Sequence, residues 1–191
     1  KTWEVNTENS KYKFDKIIDL LPQSKVFNEY EAHDTYQLTD HILIPGLINT
    51  HAHAAMSLFK SFADDLPLHD WLNNHIWPAE KEFVSPSFVK DGSILALSEM
   101  IKSGITTFND MYFYPNETAE AAKELGVRGN IGLVVLDFPT NYATDPEDYL
   151  LKGFGFRDKW RNEELITTSI APHAPYSVSD EAFTMINTYS E

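Results

Sequence analysis

From position 42 onward, the sequence alternates short apolar runs with longer amphipathic segments. The apolar runs predict four buried strands, over residues 42–48, 105–109, 127–136 and 165–171. The amphipathic segments predict helices, over residues 85–103, 117–125 and 145–161, with a last one from 179 onward. Four strand-then-helix units in series indicate a parallel sheet, in either a barrel or a doubly wound arrangement.

Capping residues mark the ends of the predicted helices. Ser85-Pro86 and Asp145-Pro146 each place a side-chain acceptor before a proline in the first helical turn. Ser179 is a third such acceptor, while Gly104 and Gly126 stand where helices commonly stop. The long polar and aromatic stretch from Ala54 to about Val84 has no equally clear boundaries.

The fold class that we expect is α/β, the N-terminal part of a (β/α)8 TIM-type barrel with about four βα units in residues 42–191. A complete barrel of this type needs about 250 residues. A half barrel leaves two unpaired strand edges, so we expect an incomplete chain. We assign residues 1–41 to part of a small β-sandwich domain, with short strands at 16–21 and 35–38.

Composition and charge narrow the classes of partner. The formal net charge is −14, from 29 acidic and 15 basic residues, which disfavours binding to a nucleic acid polymer. No run of 18 apolar residues predicts a membrane span, and no basic-then-apolar leader opens the sequence, so we expect a cytoplasmic location. The chain has no cysteine, which leaves histidine and carboxylate as the strong metal ligands.

Two histidines one residue apart end the first predicted strand. In an extended segment residues two apart point to the same side, so His51 and His53 are expected to project together. Two imidazoles on one side can bind a single Zn²⁺ ion, although a catalytic zinc usually has at least three protein ligands. A surface loop with two histidines is the alternative, and the position after an apolar strand favours the metal site.

His173 and Glu80 are the other candidate site residues. His173 follows the fourth predicted strand between Pro172 and Pro175, so it is expected at the same end of the sheet. A structural histidine bonded within its loop is an equal alternative. Glu80 lies in the aromatic stretch that includes Trp71, Trp77 and Phe83. There a carboxylate could accept hydrogen bonds from two sugar hydroxyls, or could simply be solvated.

Asp110 is a further polar residue, at the end of the second predicted strand. It could face the same opening, or it could cap the loop that follows.

Several segments together resemble a known family, the methylthioadenosine/S-adenosylhomocysteine deaminases of the amidohydrolase superfamily. The wider group includes the triazine hydrolases and guanine deaminase. The resemblance covers about residues 38–191 and is carried by ILIPGLINTHAHAAMSLFKSFADDLPLHDWLNNHIWPAE, GITTFNDMYFYP, VVLDFPTNYATDPEDYLLKG and APHAPYSVSD.

The resemblance implies roles for the candidate residues. It implies that His51 and His53 bind zinc (or iron), that Glu80 binds the ribose hydroxyls, and that His173 is a catalytic residue in contact with the substrate. It places the third histidine ligand, a catalytic glutamate and an aspartate ligand beyond Glu191. The segment after the third strand lacks the arginine with which some relatives hold a homocysteine carboxylate.

The function that we expect is metal-dependent hydrolytic deamination of an adenine nucleoside, with release of ammonia. The substrate is expected to be 5'-methylthioadenosine, with adenosine or S-adenosylhomocysteine as further possibilities. One alternative is an aminohydrolase or chlorohydrolase of another heteroaromatic ring, such as guanine, a triazine or a pterin. Another is an inactive fragment that needs the rest of the barrel. We expect a small-molecule nucleoside partner and a homo-oligomer.

Overall fold

The computed structural model describes residues 2–5, 17–31 and 34–190. The chain divides into two compact units, Lys1–Ile44 and Pro45–Glu191. The predicted boundary lay between residues 41 and 42, and the assignment of the first unit to a β-sandwich domain stays a prediction.

Within its described residues, the first unit contains a two-stranded antiparallel sheet and one helix, namely β1 (Thr2–Val5), β2 (Ile17–Leu21) and α1 (Gln23–Glu29). The strand predicted at 16–21 is therefore found, apart from Lys16, which lies outside the described residues. The strand predicted at 35–38 is wrong, because this segment is irregular. Tyr36 and Leu38 are 80% and 54% exposed, so its alternate apolar side chains are not buried as those of a half-buried strand would be.

The second unit is built on a four-stranded parallel sheet. Its strands are β3 (Leu47–Ala52), β4 (Ile105–Met111), β5 (Arg128–Val135) and β6 (Ile166–Pro172). Each strand pairs with the next one in the sequence, in the order β3-β4-β5-β6. A doubly wound sheet reverses its strand order at a switch point. This sequential order is therefore the pattern of a barrel.

The first strand of this sheet begins later than its apolar run predicts. Residues 42–46 are irregular, and regular pairing starts where the Leu47 amide donates to the Gly104 carbonyl at 2.9 Å. Pro45 has no amide hydrogen to give to a ladder. Gly46 lies so close to β4 that a β-carbon there would be 2.0 Å from Thr106 Oγ1. The strand also ends later than predicted, at Ala52, so His51 lies within it.

Helices fill the connections between the strands. They are α2 (Leu68–Trp71), α3 (Trp77–Phe83), α4 (Pro86–Lys102), α5 (Pro115–Leu125), α6 (Pro146–Trp160) and α7 (Asp180–Ser190). A 3-10 helix spans Ala54–Phe59, and a π-helical turn, Leu72–Ile76, joins α2 to α3. The stretch from Ala54 to Val84, whose boundaries were unclear from the sequence, is thus largely helical.

The predicted helix caps agree with the structure. The side chains of Ser85, Asp145 and Ser179 accept hydrogen bonds from the amides of Phe88, Asp148 and Ala182 at 3.0–3.2 Å. Gly104 and Gly126 have φ angles of 81° and 70°, in the left-handed region where glycine is favoured.

The hydrophobic core lies between the sheet and its helices. Phe108 and Ile131 on β4 and β5 are fully buried with Leu97 of α4 and Ala122 of α5. Because side chains alternate along a strand, Asn109 and Asn130 face the opposite side of the sheet. No helix within the described residues is both long and apolar enough to cross a membrane.

Gly92 tests how tightly the segment after His53 packs on α4. A β-carbon at Gly92 would lie 2.3 Å from the Ala55 carbonyl oxygen, so we expect Gly92→Ala to lower the free energy of unfolding by about 1–3 kcal/mol. The matched control is Gly155→Ala in α6, where nothing lies within 4 Å. Since alanine favours an exposed helix, the control is expected to gain up to about 1 kcal/mol. Urea unfolding measures both, and equal signs would contradict this packing.

Candidate active site

A cavity of about 540 Å³ opens at the carboxyl ends of the parallel strands. His53, Glu80 and His173 all line it, so three of the four predicted site residues share one space. His51, the fourth, lies beside His53, with the two ring centres 4.9 Å apart. The structure therefore brings together residues that are up to 122 positions apart in the sequence (51 to 173).

The two imidazole rings of His51 and His53 have the geometry of a metal-binding pair. Their planes meet at 87°, and neither ring stacks on the other. Two imidazoles bound to one tetrahedral zinc at Zn–N distances of about 2.0–2.1 Å have ring centres roughly 5 Å apart. The observed separation of 4.9 Å between the ring centres is compatible with this requirement.

The protonation of His53 suits a metal ligand. Its Nδ1 atom lies 2.7 Å from the carbonyl oxygen of Met111, at the end of β4. A carbonyl can only accept, so Nδ1 carries the proton and the lone pair of Nε2 is left for a ligand. Burial lowers the pKa of His53 below its usual value; the Met111 carbonyl opposes this and His51 adds to it. The ring is therefore neutral at pH 7.

The residues that the structure describes bring no third metal-binding side chain to His51 and His53. Among residues 2–5, 17–31 and 34–190, no group of three histidine, aspartate or glutamate side chains is placed to hold a metal ion. The described chain thus supplies two imidazoles to such a site.

Asp110 lies near the end of β4, and its side chain is only 1% exposed. Its Oδ1 atom accepts a hydrogen bond from the Ala54 amide at 2.7 Å. Its Oδ2 atom is buried and has no hydrogen-bond partner within the part of the chain that the structure describes. Burial raises the pKa of Asp110 to about 7, against the effect of the Ala54 amide. Asp110 therefore holds the start of the 3-10 helix after His53. Neither of the two alternatives from the sequence is seen among the described residues: Asp110 does not line the cavity, and it makes no hydrogen bond to the loop after its own strand.

Glu80 faces the cavity from α3 and is held by a residue that the sequence analysis did not single out. The Tyr112 hydroxyl donates to Glu80 Oε1 at 2.7 Å. Burial raises the pKa of Glu80 to about 6, and the hydrogen bond from Tyr112 partly offsets this. Burial and the adjacent Glu80 raise the pKa of Tyr112, so its hydroxyl stays protonated and remains a donor.

His173 is fixed at both its backbone and its ring. Its amide donates to the Val135 carbonyl at 3.1 Å, which extends the pairing of β5 and β6 by one residue. Its Nδ1 atom lies 2.7 Å from Ser177 Oγ, and that hydroxyl donates its one proton to the Ala174 carbonyl at 3.2 Å. Nδ1 is therefore the donor to Ser177, and Nε2 is left unprotonated. Burial, followed by the charge of His53, lowers the pKa of His173.

Aromatic side chains form much of the cavity wall. Trp71, Trp77, Phe138 and Tyr176 line it, and the rings of Trp77 and Phe138 meet edge to face at 5.3 Å. Phe83, which we grouped with them from the sequence, is 53% exposed and does not line the cavity.

The charge of the wall bears on which substrates can enter. No arginine lines the cavity among the described residues, and Lys81 is the cation that does.

The sequence pattern of the Amidohydrolase family matches residues 42–190, and the chain belongs to this family. It is 49% identical, over 92% of its length, to a 5-methylthioadenosine/S-adenosylhomocysteine deaminase of Saccharophagus degradans. It is 46% identical, over 79% of its length, to a 5'-deoxyadenosine deaminase of Methanosarcina barkeri.

Solved structures confirm the fold. An adenosine deaminase from Xanthomonas campestris with bound zinc superposes with a TM-score of 0.87 at 39% identity, over 91% of this chain. Guanine deaminase of E. coli and atrazine chlorohydrolase of Arthrobacter aurescens share the fold, with TM-scores of 0.65 and 0.66. The described sheet is thus the N-terminal part of an amidohydrolase barrel, as predicted.

The chain spans about two fifths of the length of the proteins that it matches. The matched part is 39% of the Saccharophagus protein, 35% of the Methanosarcina protein and 40% of the Xanthomonas chain.

The raised pKa of Glu80 predicts a pH dependence of stability. Between pH 4.5 and 6 the unfolded state releases this proton while the folded state keeps it, so the free energy of unfolding falls as pH rises. We expect Glu80→Gln, which cannot ionise, to remove this fall and to be more stable at pH 7 by about 2 kcal/mol. Urea unfolding of both proteins at pH 4, 5, 6 and 7 measures it. Parallel stability curves would contradict the assignment.

Proposed function

We propose that the protein is a metal-dependent hydrolytic deaminase of an adenine nucleoside, with 5'-methylthioadenosine as its preferred substrate. The observation that carries the proposal is the pairing of the His51 and His53 rings beside a cavity that also holds Glu80 and His173. Relatives that are named as deaminases of methylthioadenosine, deoxyadenosine and adenosine support the same class of substrate.

In this proposal His51 and His53 hold the metal through imidazole nitrogens, with Nε2 the coordinating atom of His53. Zinc is the metal favoured by the Xanthomonas structure, and iron is the alternative. Zinc supplies a nucleophile at neutral pH by lowering the pKa of a water molecule to about 7. The other ligands and the acid that protonates the ring come from the part of the relatives' length that these 191 residues do not span.

The reaction exchanges one bond at C6 of the purine. A C–O bond to water forms, the C–N bond to the amino group breaks, and the released group leaves as ammonia after it gains a proton. His173 is proposed to contact the reacting centre. Its proton on Nδ1 faces Ser177, which leaves Nε2 as a hydrogen-bond acceptor and supports this role. A neutral imidazole in this state can orient the attacking water.

Glu80 is proposed to bind the ribose. At pH 7 its carboxylate is mostly ionised and can accept hydrogen bonds from two hydroxyls, while Tyr112 keeps Oε1 in place. The aromatic wall offers a surface for the purine and for an apolar 5' substituent. This wall favours the uncharged methylthio nucleoside or adenosine over S-adenosylhomocysteine, which carries an amino acid group.

A cytoplasmic location and a homo-oligomeric state stay predictions, as does the absence of a nucleic acid polymer among the partners. The partner that the proposal requires is a small nucleoside.

Replacement of His51 tests the metal site. In the full-length protein we expect His51→Ala to lose bound zinc and nearly all ammonia release, since one of the two adjacent imidazoles is removed. His41→Ala is the matched control, because His41 is exposed and lies in the first unit. Metal analysis and an ammonia assay measure both. Stoichiometric zinc in purified His51→Ala protein would show that His51 is not a ligand.

The second candidate function is hydrolysis of a heteroaromatic ring without a sugar, such as guanine, a triazine or a pterin. The fold neighbours guanine deaminase and atrazine chlorohydrolase motivate it. Glu80 distinguishes the two candidate functions, because a carboxylate that binds ribose hydroxyls has nothing to bind on a ring without a sugar.

We expect Glu80→Gln to raise KM for methylthioadenosine about tenfold or more, as expected for loss of a charged hydrogen bond. A ribose-free substrate such as guanine should be affected far less. Steady-state kinetics of the full-length protein on both substrates decide the point. An equal rise in KM for methylthioadenosine and for guanine would remove the main support for a nucleoside substrate.

The third candidate is that the 191-residue polypeptide by itself is inactive. Within the described residues it offers two adjacent imidazoles, those of His51 and His53, as metal ligands. A catalytic zinc usually requires at least three protein ligands. The intact mass of the natural protein, together with an ammonia assay of the 191-residue chain, distinguishes this from the first two.

A further inference from the structure

Three successive residues at the end of β4 contact residues 50–54, where β3 ends and the 3-10 helix begins. This segment carries His51 and His53, and we refer to it as the turn. Asn109 Nδ2 donates to the Thr50 carbonyl at 3.1 Å, just before His51. The Met111 carbonyl accepts from His53 Nδ1 at 2.7 Å. Asp110 Oδ1 accepts from the Ala54 amide at 2.7 Å, just after His53. The turn is thus held before, at and after the histidines.

The burial of Asp110 is unfavourable for the stability of the folded protein. A buried carboxyl group loses the hydration that it has in the unfolded chain, and one hydrogen bond does not replace it. One of its oxygens has no hydrogen-bond partner within the described residues. An apolar residue would fill the same space at lower cost, but it could not accept the Ala54 amide. The contact with the turn is therefore what Asp110 provides.

Asn109 is itself anchored to the rest of the sheet. Its Oδ1 atom accepts from Asn130 Nδ2 on β5 at 2.6 Å, and the same Asn130 nitrogen lies 3.0 Å from Ser169 Oγ on β6. The Thr50 carbonyl is thereby connected through side chains to three neighbouring strands. A turn held in this way keeps its conformation when no ligand is bound.

We propose that Asn109 and Asp110 are positioning residues that set the metal affinity of the His51–His53 pair, an inference that rests on the proposed metal site. They touch neither metal nor substrate and act through the backbone of the turn. Residues that orient metal ligands typically contribute 10- to 100-fold to metal affinity. Without them the two imidazoles must be brought together at the moment of binding, which weakens the site.

The test is the dissociation constant for zinc, measured by competition with a chromophoric chelator on the full-length protein. We expect Asp110→Ala to weaken zinc binding about tenfold or more, and Asn109→Ala severalfold. Asp110→Asn keeps an oxygen for the Ala54 amide and should stay within about threefold of the wild type. Because Asn109 is only half-buried, its variant is expected to fold even if Asp110→Ala does not.

The matched control is Thr118→Val. It removes the hydrogen bond between Ser93 Oγ and Thr118 Oγ1, 3.2 Å apart and buried between α4 and α5, which involves none of residues 50–54 or 109–111. We expect it to lower the melting temperature and leave zinc affinity unchanged.

Several results would overturn the inference. Unchanged zinc affinity in Asn109→Ala and Asp110→Ala would do so, as would an Asp110→Asn variant as weak as Asp110→Ala. A loss in Thr118→Val as large as in the two alanine variants would show that general stability sets the affinity. If the wild type bound no zinc, the proposed function would fail, and the inference with it.

Discussion

The hydrogen bond between His53 Nδ1 and the Met111 carbonyl joins the first strand of the sheet to the second at the point where both end. It fixes the orientation of one imidazole, decides which of its nitrogens carries a proton, and directs the other nitrogen away from the backbone. The His51 ring then lies at a distance from His53 that suits a shared metal ion. Every further step of the proposed chemistry requires this arrangement.

The cavity combines an apolar wall with a few titratable groups, each held by one partner. Tyr112 holds Glu80, Ser177 holds His173, and the Met111 carbonyl holds His53. Burial keeps both histidines neutral at pH 7 and raises the pKa of Glu80 toward neutrality. Such shifts are common where acid, base and ligand groups are collected in a cleft. They are consistent with a site for hydrolytic chemistry on a small, largely apolar substrate.

Sequence patterns predicted the parallel strands and the helix caps because both depend on local signals. Apolar runs located the ends of β4, β5 and β6 to within two residues. The side chains of Ser85, Asp145 and Ser179 cap helices as predicted. The predicted start of β3 was wrong, because Pro45 and the close approach of Gly46 to Thr106 prevent regular pairing before Leu47. The helices in residues 54–84 were also not predicted, because no simple apolar period marks them in the sequence.

The sequence predicted which residues form much of the candidate site, but it predicted few of the hydrogen bonds that hold them. The spacing of His51 and His53 after an apolar strand was enough to suggest that the rings lie together, and parallel strands explain why His173 joins them. Tyr112 and Ser177 were missed because their partners depend on packing between distant segments. An aromatic residue two positions after Asp110, at the same strand end, was the one local signal for Tyr112.

X-ray absorption spectroscopy of the zinc-loaded full-length protein tests the central claim most directly. The account predicts nitrogen or oxygen ligands at about 2.0–2.1 Å, with the outer-shell scattering of imidazole rings that diminishes by one ring in His53→Ala. A zinc spectrum without imidazole scattering, or one that His53→Ala leaves unchanged, would contradict it.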